Sequence, residues 1–152
     1  MISIERAPDL DALPVSADDI RHLLAQVVDE QSDQSVDALT VVFGTHALVR
    51  DLNVQYLDHD YNTDVLAFNL SDSSDTLEGE VYVDVETARE RHAEFDTSVA
   101  AEVARYAVHG VLHLLGHTDK TEDGQAEMRR LEDVYVQAFE DAGAASASGL
   151  ST

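Results

Sequence analysis

The sequence predicts an α+β fold, a single domain in which a small mixed sheet of about four strands is flanked by helices. Three observations carry that expectation. Four short β-rich runs, at 2–4, 36–44, 63–70 and 79–85, alternate with segments of helical periodicity. No internal repeat and no long linker divides the 152 residues, which is an ordinary length for one domain. Lastly, the helix predicted from about Asp96 to Leu115 is apolar around most of its circumference, so a core must enclose it. The domain is expected to span 1–142, with "GAASASGLST" at 143–152 read as a disordered tail.

Each element has a local reason. Pro8 and Pro14 bracket a loop after the first run. "SADDIRHLLAQVVDEQ" then reads as a helix: Ser16 caps it, Asp19 takes the capping-box position, and Ile20, Leu23, Leu24, Val27 and Val28 form one face. Gly44 closes the second strand, and "THALVRDLNVQYL" continues as a helix with Leu48, Leu52 and Tyr56 in register. The polar "SDSSDTLEG" between the last two strands suggests a hairpin. "ETARERHAEF" reads as a short helix ahead of the long one. A final helix follows from Glu122, with Met128, Leu131, Tyr135, Ala138 and Phe139 on one side.

Composition narrows the setting. There are no cysteines, so neither disulfides nor thiolate zinc ligands are possible. No run approaches the roughly 18 apolar residues that a membrane helix needs. The amino terminus lacks a basic region followed by an apolar one, so no secretion signal is expected and a cytoplasmic location fits. With 31 acidic against 9 basic residues the net charge is −22, and Lys120 is the single lysine. Taken at face value, that argues against nucleic acid, whose phosphates are held largely by lysine and arginine. The acidic residues are spread along the chain, however, and a uniformly acidic, lysine-poor surface suits concentrated salt. At 1 M the Debye length is about 3 Å and self-repulsion is screened. On this reading the charge reports the surroundings more than the ligand.

The chemistry concentrates in "HGVLHLLGHTD", residues 109–119. On the long helix Glu102, Tyr106, His109 and His113 are spaced by four, three and four, and so share one stripe. Imidazoles in a buried helix need partners, and i, i+4 spacing lets two of them reach one metal ion. Gly116 can end the helix in a left-handed conformation, after which the chain turns back and Asp119 can meet the same ion. His117 competes as third ligand, but it lies on the stripe only if the helix runs through Gly116. The ordinary alternative for either histidine alone is a cation at a helix carboxyl end. As a pair, followed by a glycine and a carboxylate, they read as a metal site. Glu102 reads as a core-edge salt-bridge residue, or as an outer partner of the metal ligands.

Exclusion narrows the reaction. Metallopeptidases of the H-E-x-x-H type need a glutamate after the first histidine, and Gly110 stands there. Two histidines and a carboxylate also suit non-haem iron oxygenases, but too few strands are present for their usual barrel. Three protein ligands leave a position open for water. Hydrolysis with that metal-bound water as nucleophile is the class expected.

"HGVLHLLGHTDKTED" closely resembles the signature H-G-x-L-H-L-x-G-Y-D-H of the YbeY family, metal-dependent endoribonucleases of ribosomal RNA maturation. "DLNVQYLDHDYNTDVLAFNL" resembles the family's second motif, and "GEVYVDVETARERH" its third, in order over residues 36–140. The resemblance implies one divalent metal, usually zinc, and cleavage of single-stranded RNA at the 3′ end of 16S rRNA. It also implies the small ribosomal subunit and its assembly proteins as partners. Two positions depart from the commonest pattern. The usual third ligand is a histidine where this chain has Asp119, although a branch with G-Y-x-D-K supports the aspartate. Leu57 stands where many members carry an arginine thought to act on the phosphate. His59 is a candidate for part of that role, the alternative being an exposed loop histidine. Thr63 and Asp64 should open the strand beside the metal cleft, or else serve as turn caps. A non-catalytic assembly factor, in which the metal only holds the last helix and loop in place, is the other function considered.

Overall fold

A computed structural model describes residues 1–57, 64–117 and 120–150. Its sheet has the order β1-β2-β4-β3 and is mixed, as the sequence predicts. β1 (Ile2–Arg6) runs parallel to β2 (Ser35–Gly44), and β2 runs parallel to β4 (Thr76–Asp84). β3 (Val65–Asn69) is the antiparallel edge, paired Val65 to Val83 through Asn69 to Gly79, which is the expected hairpin. Alternation decides which side of the sheet is covered: Leu39, Val41 and Phe43 of β2 and Leu77, Val81 and Val83 of β4 are buried.

The helices are α1 (Ala17–Gln31), α2 (His46–Leu57), α3 (Val85–Arg91), α4 (Val99–Leu114) and α5 (Glu122–Leu150). The Ser16 hydroxyl accepts from the Asp19 amide at the head of α1, as the capping box requires, and the five apolar positions expected on that helix are all buried. α4 is the central helix, packed on β3 and β4 with α1 and α5 beside it. It starts later than the sequence suggests. Asp96 adopts φ 54° after the 3-10 turn His92–Phe95, a left-handed geometry that aspartate tolerates, and Ser98 then caps the helix through the Ala101 amide.

Two glycines set the approach of α4 to the sheet. A Cβ on Gly110 would come within 2.6 Å of Val81 Cγ1 and 3.1 Å of Val65 Cγ2. A Cβ on Gly79 would meet Leu114 Cδ1 at 2.9 Å. The helix backbone therefore lies directly on β4 at these points, and a glutamate base after His109 is sterically barred. α5 buries Met128, Leu131, Tyr135 and Val136, with Phe139 only partly covered. The Tyr135 hydroxyl donates to Glu30 Oε1 at 2.8 Å, tying α5 to the end of α1.

The backbone of α5 is helical to Leu150, over most of the stretch 143–152 that composition reads as a tail. The strong helix propensity of its alanines accounts for this. Among the described residues no helix is long and apolar enough to cross a membrane.

Candidate metal centre and active site

α4 ends as Gly116 predicts. That glycine has φ 97°, its amide donates to the His113 carbonyl at 3.1 Å, and the His117 amide donates to the Leu112 carbonyl at 3.0 Å. These two bonds form a Schellman cap, so His117 has already left the helix and does not share the histidine stripe. His113 is the last histidine on the helix.

His109 and His113 lie one turn apart with ring centroids 5.2 Å from each other. Their burial differs from expectation. His109 is half-buried and His113 is exposed, because α4 emerges from the core at its carboxyl end. The pair opens to solvent, and the energetic reason for pairing applies to His109 more than to His113. Two imidazoles at this spacing fit a divalent ion. Among the described residues, no three histidines or carboxylates gather as a metal site. Asp119, the expected third ligand, lies outside the described residues, as do His59 and Thr63.

Sequence reasoning missed Glu132 of α5. Its Oε2 lies 2.8 Å from His109 Nδ1, while its Oε1 accepts from Arg105 Nη1 at 3.3 Å. Arg105 also donates to Asp133 Oδ1 at 2.8 Å. A carboxylate can only accept, so Nδ1 carries the proton and His109 would meet a metal through Nε2. The signal was faint but present: Glu132 follows Met128 by four residues, which places an acid at the margin of the buried face of α5.

Glu102 takes a different role from the expected salt bridge. It is buried and accepts from the Thr97 hydroxyl at 3.0 Å, with Tyr106 beside it. Burial, followed by the nearby Asp64 and Glu102 carboxylates, pushes the Tyr106 phenol well above its ordinary value. Asp64, at the entrance to β3, has its carboxyl raised by burial, with His109 acting in the opposite direction. Asp64, Tyr106 and Glu132 line a cleft of about 510 Å³ together with Arg91, Arg105 and Arg129. Three of the nine basic residues thus border one opening beside His109.

A second histidine–carboxylate pair sits where α2 starts. His46 Nδ1 is 2.6 Å from Asp84 Oδ2, and Asp84 also accepts from the Thr87 amide at 2.8 Å and the Thr87 hydroxyl at 2.7 Å. Asp84 is fully buried and caps α3.

The family model for Endoribonuclease YbeY matches residues 9–140. That span takes in the strand hairpin, α4 with both histidines, and most of α5. The chain belongs to the YbeY family. Endoribonuclease YbeY of Salinibacter ruber is 46% identical over 145 residues, covering 90% of each chain. Endoribonuclease YbeY of Chloroherpeton thalassium is 35% identical over 103 residues, covering 68% of this chain and 72% of its own. The solution structure of a Thermotoga maritima protein superposes with a TM-score of 0.66 at 24% identity, over 98% of this chain and 95% of that one, and shows the same fold. The YbeY family is one of endoribonucleases, hydrolases acting on RNA phosphodiester bonds.

Proposed function

We propose that this chain is a zinc-dependent endoribonuclease that cuts single-stranded RNA, with His109, His113 and Asp119 as the metal ligands. The observation that carries the reading is the exposed end of α4, where two imidazoles one turn apart open beside a cleft bordered by Arg91, Arg105 and Arg129. When bound, the ion supplies Lewis acidity that activates a water and offsets charge developing on the phosphate. The chain's own residues do the rest. His109 and His113 hold the ion at the rim of the core, and Asp119 follows the Gly116 turn as third ligand. Arg91 and Arg129 are the cleft cations placed to meet phosphate, since Arg105 is taken up by Glu132 and Asp133 and four carboxylates line the same cleft in a protein of net charge −22. Family membership supports ribosomal RNA as the substrate, with processing at the 3′ end of the small-subunit RNA during ribosome assembly in the cytoplasm.

The test is cleavage of single-stranded RNA in concentrated potassium chloride, with and without added zinc. Wild type should cut only with metal. His113→Ala and Asp119→Ala should each lose at least ~100-fold in rate, because every ligand helps hold the activating ion, and His117→Ala should keep most of it. Cleavage retained by His113→Ala overturns the reading. Metal and RNA binding without any cleavage by the wild type favours the assembly factor instead.

A further inference from the structure

We propose that Glu132 is a positioning residue for the metal centre, a carboxylate on α5 that fixes the ring nitrogen and orientation with which His109 meets the ion. The inference rests on the metal reading above. Its basis is the way the two oxygens of Glu132 are divided. Oε2 takes the Nδ1 side of His109 at 2.8 Å, and Oε1 is held by Arg105 at 3.3 Å. Arg105 and His109 are four residues apart on α4, so the carboxylate bridges one turn of that helix from the outside.

The bridge is well placed for this work. The side chains of His109, Glu132 and Arg105 are 26%, 12% and 27% exposed, which shields the hydrogen bonds from water more than a surface pair would be. Arg105 reaches Asp133 with its other nitrogen, so Glu132 is clamped and does not swing freely. With Nδ1 protonated and engaged, the ring's rotation about its bond to the chain is limited and coordination falls to Nε2. A carboxylate behind a ligating histidine also raises the basicity of the nitrogen that binds the metal.

The experiment measures zinc affinity of the full chain by competition with a chromophoric chelator, and the visible absorption of the cobalt-loaded protein. Glu132→Ala should bind zinc 10–100-fold more weakly, as expected for loss of a carboxylate behind a ligating histidine. Its cobalt spectrum should change, while the melting temperature of the metal-free protein shifts little. Glu132→Gln keeps the shape and an accepting oxygen, and should recover part of the lost affinity. It decides the matter if the alanine variant does not fold. Arg105→Met, which leaves Glu132 present but unclamped, should weaken zinc by a smaller factor.

Unchanged affinity and spectrum in both Glu132 variants, beside a wild type that binds zinc, overturn the positioning role alone. Loss of binding as complete as in His109→Ala would make Glu132 a ligand in its own right, and overturns it too. A wild-type chain that takes up no metal overturns the metal reading and this inference together.

Discussion

Among the described residues, two histidine–carboxylate pairs of nearly equal length, His46–Asp84 at 2.6 Å and His109–Glu132 at 2.8 Å, do different things. Asp84 is wholly buried, and its oxygens are taken up by His46 and by the amide and hydroxyl of Thr87. It ends β4, caps α3 and anchors the start of α2, so three elements meet on one carboxylate. Glu132 instead joins two helices at the protein's edge, shares its other oxygen with Arg105, and faces a histidine that has a second imidazole one turn further on. A carboxylate beside an imidazole is therefore not by itself a site. What separates the metal centre from the joint is the second histidine, one turn further along α4.

The comparison breaks most readily at Asp84. Asp84→Ala removes a helix cap and two further buried hydrogen bonds, worth roughly 1 kcal/mol each, and should cost about 2–4 kcal/mol. Denaturant unfolding of the metal-free protein would show it, and a loss below about 0.5 kcal/mol, the scale of an ordinary surface substitution, would mean that Asp84 is no joint.

Exchanging the histidines comes next. His109→Ala should abolish zinc uptake with a modest stability change, whereas His46→Ala should leave zinc affinity intact and lower stability by about 1 kcal/mol, one hydrogen bond's worth. Paired zinc titrations and thermal melts read both. If His46→Ala lost zinc as His109→Ala does, the division drawn between the two pairs would collapse.

The smallest effect concerns Asp64, which lies beside the His109–Glu132 pair. Its carboxyl is raised above 3.8 by burial. A raised acid binds its proton more tightly in the folded state than in the unfolded chain. The folded state is therefore favoured while that proton stays on, and stability falls as pH rises from 3.8 through the raised value. In the metal-free protein Asp64→Asn, which stays neutral, should flatten that decline and melt slightly higher than wild type at neutral pH. Melting curves at acid and neutral pH, superposable for both proteins, would remove burial as the cause.

Much of this was legible in the residues, for reasons that can be named. The strands at 36–44 and 79–85, the Ser16 cap, the α4 stripe and the stop at Gly116 all depend on neighbours within a turn or a strand, where side-chain spacing carries the information. The start of α4 was placed too early because the left-handed turn at Asp96 depends on one residue's tolerance and leaves no periodic trace. The exposure of His113 was missed for another reason: apolarity around a helix tells that it is buried, but not where along its length it leaves the core.

By itself, then, the sequence determined the mixed α+β fold, the pairing of His109 with His113 on one helix face, and the glycine that ends that helix. Those features follow from short-range geometry and from which side chains avoid water. Tertiary structure alone decided that Glu132 stands behind His109 and that Asp84 binds His46. It also decided that Gly110 lies flat on Val81 and Val65. Each of those contacts joins elements distant in the chain, and their meeting is set by how α4, α5 and the sheet pack into one core, which no local pattern encodes.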